Sequence, residues 1–356
     1  MIKRLELKNF TAFKDIAIDF SPKINVIIGE NGTGKTHLLK IIHTLYSPTS
    51  LNRAKVILDG SPVAEIMTYH LLNIFRPLER KVGKLYHRGA TGNAMFKGVF
   101  QNDEKLESEF KINSKILQSI KEKEYEFVEE QSIFIPAKEM LSFMEGFISL
   151  YQTYKLAFDE TYYDLCAALD HPPLWPDNLS EKAKWVIGEI EKIYDGHFQF
   201  GGGGRVTFVA NQSKIEYSAN VVAEGFRKIG TLVRLLETGA IRPGMSGPLL
   251  WDEPEANLNP KLLKLLVQTL IELSRNGQQI ILATHDYVLL KWFDLLADRD
   301  KDDHVRFHSL YRDADTFEIK IASTENYLKI TPNPIDEAFG LLINQEIEND
   351  MGDLGK

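Results

Sequence analysis

The sequence predicts an α/β fold in which buried strands are followed by helices. The first observation is a short apolar run, formed by Ile24, Val26, Ile27 and Ile28, that leads into a glycine-rich loop and then into apolar residues at helical spacing. A second run, residues 249–251, ends in two adjacent carboxylates and precedes a leucine-rich helical pattern. A third run, residues 279–284, ends at His285. Such runs are typical of strands buried in a parallel sheet, whose carboxyl ends meet at one edge.

The glycine-rich loop matches the pattern GxxxxGK[ST]. Backbone N–H groups of such a loop surround a phosphate, Lys35 can reach the β and γ phosphates, and the Thr36 hydroxyl can bind Mg²⁺. An ordinary glycine turn that caps a helix is the alternative, but the strand before the loop and the helix after it favour a nucleotide site. The predicted phosphate-binding residues are Gly29, Glu30, Asn31, Gly32, Thr33, Gly34, Lys35 and Thr36.

Composition limits the class of protein. At 356 residues, the chain fits one elaborated domain or a core with an inserted lobe. Its single cysteine, Cys166, excludes an intramolecular disulfide, fits a reducing cytoplasm and is expected to be a packing residue. No stretch approaches the ~18 apolar residues of a membrane span, so we expect a cytoplasmic protein without membrane contact. A net charge of −8 does not favour uniform attraction to nucleic acid, but a local basic patch stays open.

The N-terminal segment alternates apolar and polar residues and predicts a hairpin that leads into the strand at Ile24. Phe10 and Phe13 could form a platform for adenine, although their residue type favours core packing. A break is expected at residues 47–50, followed by a helix near 63–78.

The middle of the chain offers one candidate for nucleic-acid binding. A basic cluster runs from Arg76 to Arg88, and it either binds phosphates or is a solvated helix face and loop. Its members are Arg76, Arg80, Lys81, Lys84, Tyr86, His87 and Arg88. Paired strands at 95–100 and 106–112 and a charged helix within 115–126 are predicted to follow.

The next region predicts a helical lobe over residues 137–196. It follows a buried strand at 132–135 and contains a helix starting near Met140 and a second helix with Ser180 as its N-cap. The four glycines at 201–204 predict a hairpin turn rather than a second phosphate loop, because no Lys or helix pattern follows them.

Two carboxylates close the strand at 249–251. Asp252 is the candidate ligand on the metal side, and Glu253 is placed to accept a proton from the water that attacks the γ phosphate. The acidic turn at 298–303 could hold a metal in a nuclease, but too few residues follow for such a domain, and an exposed turn is favoured. A hairpin and a helix at 335–347 are predicted to follow it.

The segments DEPEANLNP and, about 30 residues later, ILATHD resemble the Walker B, D-loop and switch-histidine arrangement of ABC-type ATPases, especially the OLD, RecF and SMC-like branch. The resemblance implies that His285 contacts the γ phosphate. It also implies a signature segment that closes over the ATP of a second subunit, for which Ala223, Glu224 and Gly225 are the best match.

Two positions depart from the family pattern. The family has serine where Ala223 stands, so either Arg227 or Lys228 compensates for the missing hydroxyl or closure on ATP is weaker. It also has a glutamine after the strand that precedes the lobe, where Lys138 or Glu139 would have to serve.

The resemblance implies an α/β P-loop NTPase with an ABC-type ATPase head, a mixed sheet and an inserted helical lobe, as a single domain over residues 1–356. It implies Mg²⁺-dependent ATP hydrolysis in an ATP-sandwich dimer or higher oligomer, with Lys35, Glu253 and His285 in catalysis and with Thr36 and Asp252 at the metal. Stand-alone relatives of this size suggest a switch or sensor that controls an effector protein encoded nearby, in antiphage defence. The alternatives are a repair or chromosome-maintenance ATPase that binds DNA through the basic cluster, a transporter subunit and a non-hydrolysing scaffold.

Overall fold

The computed structural model describes residues 1–46, 63–117, 120–121, 131–154 and 156–353. The α-helices within these ranges are α1 Lys35–Tyr46, α2 Val63–Ile74, α3 Phe147–Thr153, α4 Glu160–Asp170, α5 Glu181–Tyr194, α6 Glu224–Glu237, α7 Pro260–Arg275, α8 Tyr287–Leu296 and α9 Pro334–Asp353. The strands are β1 Ile2–Phe10, β2 Phe13–Asp19, β3 Ile24–Gly29, β4 Ala94–Phe100, β5 Lys105–Phe110, β6 Ile120–Lys121, β7 Ile133–Ile135, β8 Gly196–Phe200, β9 Val206–Ala210, β10 Glu216–Ser218, β11 Leu249–Asp252, β12 Ile280–Ala283, β13 Val305–Arg312 and β14 Ile319–Thr324.

The central sheet has six strands in the order β14-β13-β3-β12-β11-β7. Neighbouring strands are parallel except for the antiparallel pair β13 and β14, so the sheet is mixed, as predicted. The register pairs Ala283 with both Ile27 and Asp252. Strands β3, β12 and β11 therefore end side by side, and the residues that follow them share one edge of the sheet.

A second sheet of five antiparallel strands lies on the other side of α1, in the order β2-β1-β4-β5-β6. Buried residues of α1, such as Leu38 and Ile42, join one hydrophobic cluster with Leu7 from this sheet and Ile281 from the central sheet. The predicted N-terminal hairpin and the pair near 95–112 are confirmed as β1–β2 and β4–β5. The helix predicted within 115–126 is wrong at residues 120–121, which pair with β5 as a strand.

Other parts of that prediction, at 118–119 and 122–126, lie outside the described residues, as does the break predicted at 47–50.

Helices α3 to α7 cover the other face of the central sheet. They share a core cluster with Trp251 of β11 and with the small sheet β10-β9-β8, whose β8–β9 turn contains the four glycines. Ser180 caps α5 by accepting a hydrogen bond from the Ala183 N–H, as predicted. The helix predicted from Met140 begins only at Phe147, because Met140 and Met144 pack into the core from an irregular segment. The limits of the lobe, residues 137–196, stay a prediction.

The terminal hairpin and helix are confirmed as β13–β14 and α9. Cys166 lies buried in α4, where burial raises the pKa of its thiol to about 12. Among the helices in the described part of the chain, none is both long and apolar enough to cross a membrane.

Candidate nucleotide site

The loop between β3 and α1 has a backbone that side chains would obstruct. Gly29, Gly32 and Gly34 have φ angles of +152°, +79° and +95°. A Cβ at Gly29 would lie 2.4 Å from the Leu310 carbonyl oxygen, and a Cβ at Gly34 would lie 2.6 Å from Cζ of Phe13. Since β13 and the N-terminal hairpin lie directly against the loop, only glycine fits at positions 29 and 34. The resulting cradle of backbone groups at a helix N-terminus suits a phosphate.

Lys35 lies across this cradle. Its Nζ donates to the carbonyl oxygens of Gly29 at 2.7 Å and of Glu30 at 3.1 Å. Burial lowers the pKa of Lys35, and the nearby carboxylates of Asp252 and Glu253 oppose that shift. The ammonium is thus held within the loop by neutral carbonyl oxygens. Charged phosphate oxygens are stronger acceptors and could replace them.

Thr36 and Asp252 form the oxygen pair expected of a magnesium site. The Thr36 hydroxyl donates to Oδ2 of Asp252 at 2.7 Å, although the two residues lie 216 positions apart. Burial raises the pKa of Asp252, and the hydrogen bond from Thr36 acts against this shift. Both side chains offer the hard oxygen ligands that Mg²⁺ prefers.

Across the described ranges, no three or more His, Cys, Asp or Glu side chains are grouped to hold a metal ion. The acidic turn at 298–303 therefore forms no such group. Mg²⁺ commonly needs only one or two protein ligands beside phosphate oxygens and water, which Thr36 and Asp252 fit.

Glu253 and His285 face each other beyond the ends of β11 and β12. The distance between His285 Nδ1 and Glu253 Oε1 is 3.6 Å. Their side chains are 51% and 35% exposed, so both are accessible at this edge. Glu253 has a φ of +48°, and its N–H donates to the Ala283 carbonyl at 2.9 Å. The backbone N–H of His285 donates to Oε1 of Glu255 at 3.2 Å.

The candidate signature segment packs against residues 255–258 of its own chain. Ala223 is the N-cap of α6 and makes no side-chain capping bond. A Cβ at Gly225 would lie 2.9 Å from the Asn257 carbonyl oxygen. The Asn257 amide donates to Oε1 of Glu224 at 2.7 Å. The start of α6 and the loop after Glu253 are therefore in direct contact.

Arg227 and Lys228 do not stand in for the missing serine in this structure. Arg227 Nε donates to Oε1 of Glu139 at 2.8 Å in a largely buried ion pair. The Lys228 side chain is buried, and its Nζ donates to three backbone carbonyl oxygens of the same chain. Both side chains are directed inward in this conformation, which favours the other alternative, a weaker closure on ATP.

Of the two residues proposed to replace the glutamine, Lys138 is exposed and Glu139 is buried. The Glu139 carboxylate also accepts from the Ser142 hydroxyl, so its hydrogen bonds serve Arg227 and Ser142. These contacts had no sequence signal, because the two members of the Arg227–Glu139 pair are 88 residues apart.

The structure shows the surroundings of the two candidate aromatic residues and of the basic cluster. Phe10 and Phe13 are fully buried, which favours core packing over an adenine platform. Much of the basic cluster bonds within the chain: Arg76 to the Phe158 carbonyl, Arg80 to Asn73, and Lys81 and Lys84 to Glu79. These contacts favour a solvated surface.

Comparisons with known proteins identify a family and the fold. Residues 47–291 match a family model described as "AAA domain, putative AbiEii toxin, Type IV TA system". Among curated proteins, the DNA replication and repair protein RecF of Lactococcus lactis subsp. cremoris strain MG1363 is 46% identical over 44 residues, which are 12% of each chain. RecF of Limosilactobacillus fermentum is 33% identical over 87 residues, 24% of this chain and 21% of that protein. The chain thus matches only about an eighth to a fifth of the length of these relatives.

Two solved structures share the fold over nearly their whole length. The SMC head domain from Thermotoga maritima aligns with a TM-score of 0.51 and 15% identity, covering 91% of this chain and 99% of that one. The SMC head with an extended coiled coil, bound to the C-terminal domain of ScpA from Pyrococcus furiosus, aligns with a TM-score of 0.52 and 13% identity, covering 97% and 99%. The predicted P-loop NTPase fold with an ABC-type head is confirmed.

Proposed function

Because the chain belongs to the family described as "AAA domain, putative AbiEii toxin, Type IV TA system", within the RecF and SMC-like branch of ABC-type ATPases, we propose that it hydrolyses ATP with Mg²⁺. The observation that carries the proposal is the convergence of five side chains at one sheet edge: Lys35 and Thr36 after β3, Asp252 and Glu253 at the end of β11, and His285 after β12.

Each residue has a distinct task in this proposal. The glycine cradle and Lys35 bind the β and γ phosphates. Thr36 and Asp252 would hold Mg²⁺, which neutralises charge on the phosphates when bound. Glu253 accepts a proton from the attacking water, and His285 donates a hydrogen bond to the γ phosphate.

A dimer with two shared sites extends the proposal. The N-terminus of α6 carries the positive end of the helix dipole, which suits the γ phosphate of a partner's ATP. Closing and opening of such a dimer would make the protein a switch for an effector encoded nearby. The toxin and TA system in the family's description support a role in antiphage defence.

The test is Mg²⁺-dependent ATP turnover by the wild type and by Glu253→Gln. Removing a general base lowers kcat by about 10² to 10⁴-fold, while ATP binding through Lys35 and Thr36 is kept. The matched control is Glu181→Gln on α5, whose side chain is 87% exposed, and we expect it to leave kcat unchanged. The proposal fails if the wild type shows no turnover alone, with DNA or with the neighbouring gene's product, or if Glu253→Gln turns over ATP like the wild type.

A second candidate is a DNA-binding ATPase of repair or chromosome maintenance, suggested by the names of the RecF relatives. It requires that duplex DNA alters ATP turnover and that charge reversal at Arg80, Lys81 and Arg88 abolishes this effect. Unchanged turnover with DNA would exclude it.

A further inference from the structure

We propose that Lys228 is a positioning residue that fixes Glu253 for activation of the attacking water and ties that orientation to the start of α6. The inference rests on the proposed ATPase function. It assigns a task to a side chain that would contact neither the nucleotide nor the metal.

Three backbone carbonyls converge on the Lys228 ammonium. Nζ donates to the carbonyl oxygens of Ala137 at 3.2 Å, of Ala256 at 3.3 Å and of Glu253 at a shorter distance. The side chain belongs to a residue that is only 1% exposed. An ammonium has three N–H donors and no acceptor, so three carbonyls match it in full.

The three carbonyls belong to separate parts of the site. Ala137 follows β7, Glu253 follows β11, and Ala256 lies in the loop that leads into α7. Lys228 itself lies on α6, one helical turn after Glu224 and Gly225, which contact that loop. If the start of α6 moves, the Lys228 side chain would therefore move with it and disturb the peptide group of Glu253.

Glu253 needs such support because of its backbone. Its φ of +48° is one that non-glycine residues seldom adopt. The Ala283 carbonyl fixes its N–H, and Lys228 fixes its carbonyl. With both peptide groups held, the backbone from which the Glu253 side chain extends is fixed before a nucleotide binds, and a shift of that backbone would move the carboxylate from the water.

The charge of Lys228 suits this position. Burial lowers the pKa of Lys228 to about 8, and four carboxylates oppose that shift. In order of their effect they are Glu255, Glu253, Glu224 and Asp252. The amine is therefore still protonated near neutral pH, with all three donors in use.

The experiment compares ATP affinity and kcat for the wild type and Lys228→Met, with a fluorescent ATP analogue as the binding probe. We expect ATP affinity to stay within about threefold and kcat to fall by about 10- to 100-fold, the cost of misplacing a reacting group by about 1 Å. Lys192→Met on α5, where the side chain is 73% exposed, is the matched control and should resemble the wild type. In the Glu253→Gln background, Lys228→Met should lower the residual kcat no further, because both changes remove one function.

Three results separate the possibilities. If the wild type lacks turnover, the proposed ATPase function itself fails. If the wild type is active and Glu253→Gln is not, but Lys228→Met keeps its kcat, the positioning role is wrong. If Lys228→Met loses ATP affinity and kcat together with its melting temperature, the residue is structural and the inference is overturned.

A pH profile of the wild type needs no substitution and covers the case in which Lys228→Met does not fold. Deprotonation removes one donor and turns a lone pair toward a carbonyl, so kcat should fall as the pH rises through about 8. The contribution of Lys228 to the free energy of unfolding has the opposite pH dependence. Its folded pKa lies below the ordinary 10.5, so the unfolded chain binds more protons between about 8 and 10.5 and stability rises with pH there. A kcat that stays constant through this range contradicts the inference.

Discussion

At the scale of residues, the site places more negative than positive charge at one edge of the central sheet. The carboxylates of Asp252, Glu253 and Glu255 lie near the ammonium groups of Lys35 and Lys228. Burial raises the pKa of Asp252 and of Glu255 and lowers the pKa of both lysines. In the proposed ATPase, the triphosphate would add several more negative charges, so the proposal calls for a divalent cation beside Asp252.

Ala223 gives a prediction about a single hydroxyl. It is the N-cap of α6, but its side chain offers no acceptor to the N–H groups of the first turn. Ala223→Ser supplies one, which stabilises a helix by about 1 kcal/mol and should raise the melting temperature by roughly 1 to 2 °C in a chain of this size. Thermal unfolding followed by circular dichroism measures it. Ala90→Ser adds the same hydroxyl outside the helices and should change nothing, and an equal shift in both variants would refute the capping argument.

The sequence indicates those candidate residues whose proposed chemistry demands a fixed residue type at a fixed spacing. The loop at residues 29–36, Asp252 and His285 are of this kind, because phosphate and metal chemistry accept few substitutes. Lys228 and Arg227 are different. Lys228 bonds to backbone carbonyls, which every residue type carries, and the partner of Arg227 lies on a distant segment. No local pattern can reveal such contacts.

At the scale of elements, the contact between α6 and the loop after Glu253 joins two halves of the proposed mechanism. Gly225 brings the helix start against the Asn257 carbonyl, and Asn257 in turn bonds to Glu224. Asn257 has a φ of +61°, so this loop adopts a tight local shape. The sequence indicates both segments separately, but their contact in one chain appears only in the structure.

Gly225→Ala tests this contact. The added Cβ would lie 2.9 Å from a backbone oxygen, so the helix and the loop must separate. Overpacking costs about 1 to 3 kcal/mol. If this whole cost raises the free energy of the transition state for ATP hydrolysis, kcat falls by about 5- to 150-fold. Steady-state ATP turnover measures this. Gly188→Ala on α5 is the control, because its Cβ meets no atom within 4 Å and a helix gains about 0.5 to 1 kcal/mol from the change. Normal turnover in Gly225→Ala would show that the contact is not needed.

Helices and strands were predictable where the apolar pattern arose from burial of a regular element. Strands β3, β11 and β12 read as apolar runs because they are buried on both faces. The pattern misled at Met140 and Met144, whose spacing suits a helix but whose burial comes from packing of an irregular segment. The apolar pattern alone does not distinguish a buried helix from a buried irregular segment, since both place apolar residues at similar intervals.

At the scale of the whole molecule, α1 connects the phosphate loop to the helical region. Lys40 of α1 pairs with Asp159 at 2.7 Å, and both side chains are largely buried. His43 of α1 lies 3.2 Å from Asp164 of α4. These contacts join the helix that starts at Lys35 to α4, so the loop and the helical region should respond together to a bound nucleotide. The sequence indicates both parts, but their charged contacts depend on pairs more than 100 residues apart.

The proposed sandwich dimer gives the last prediction. One side of the molecule carries the exposed Glu253 and His285, together with the start of α6, so two copies can each complete the other's site. When hydrolysis is blocked, ATP should hold the pair together. Glu253→Gln with ATP and Mg²⁺ should therefore elute at about twice the monomer mass of 40.6 kDa in size exclusion with light scattering. Without nucleotide it should elute as a smaller species. Lys35→Ala, which loses the phosphate-binding ammonium, is the control and should not respond to ATP. If the mass of Glu253→Gln is the same with and without ATP, nucleotide does not drive association, and α6 must act on the site of its own chain.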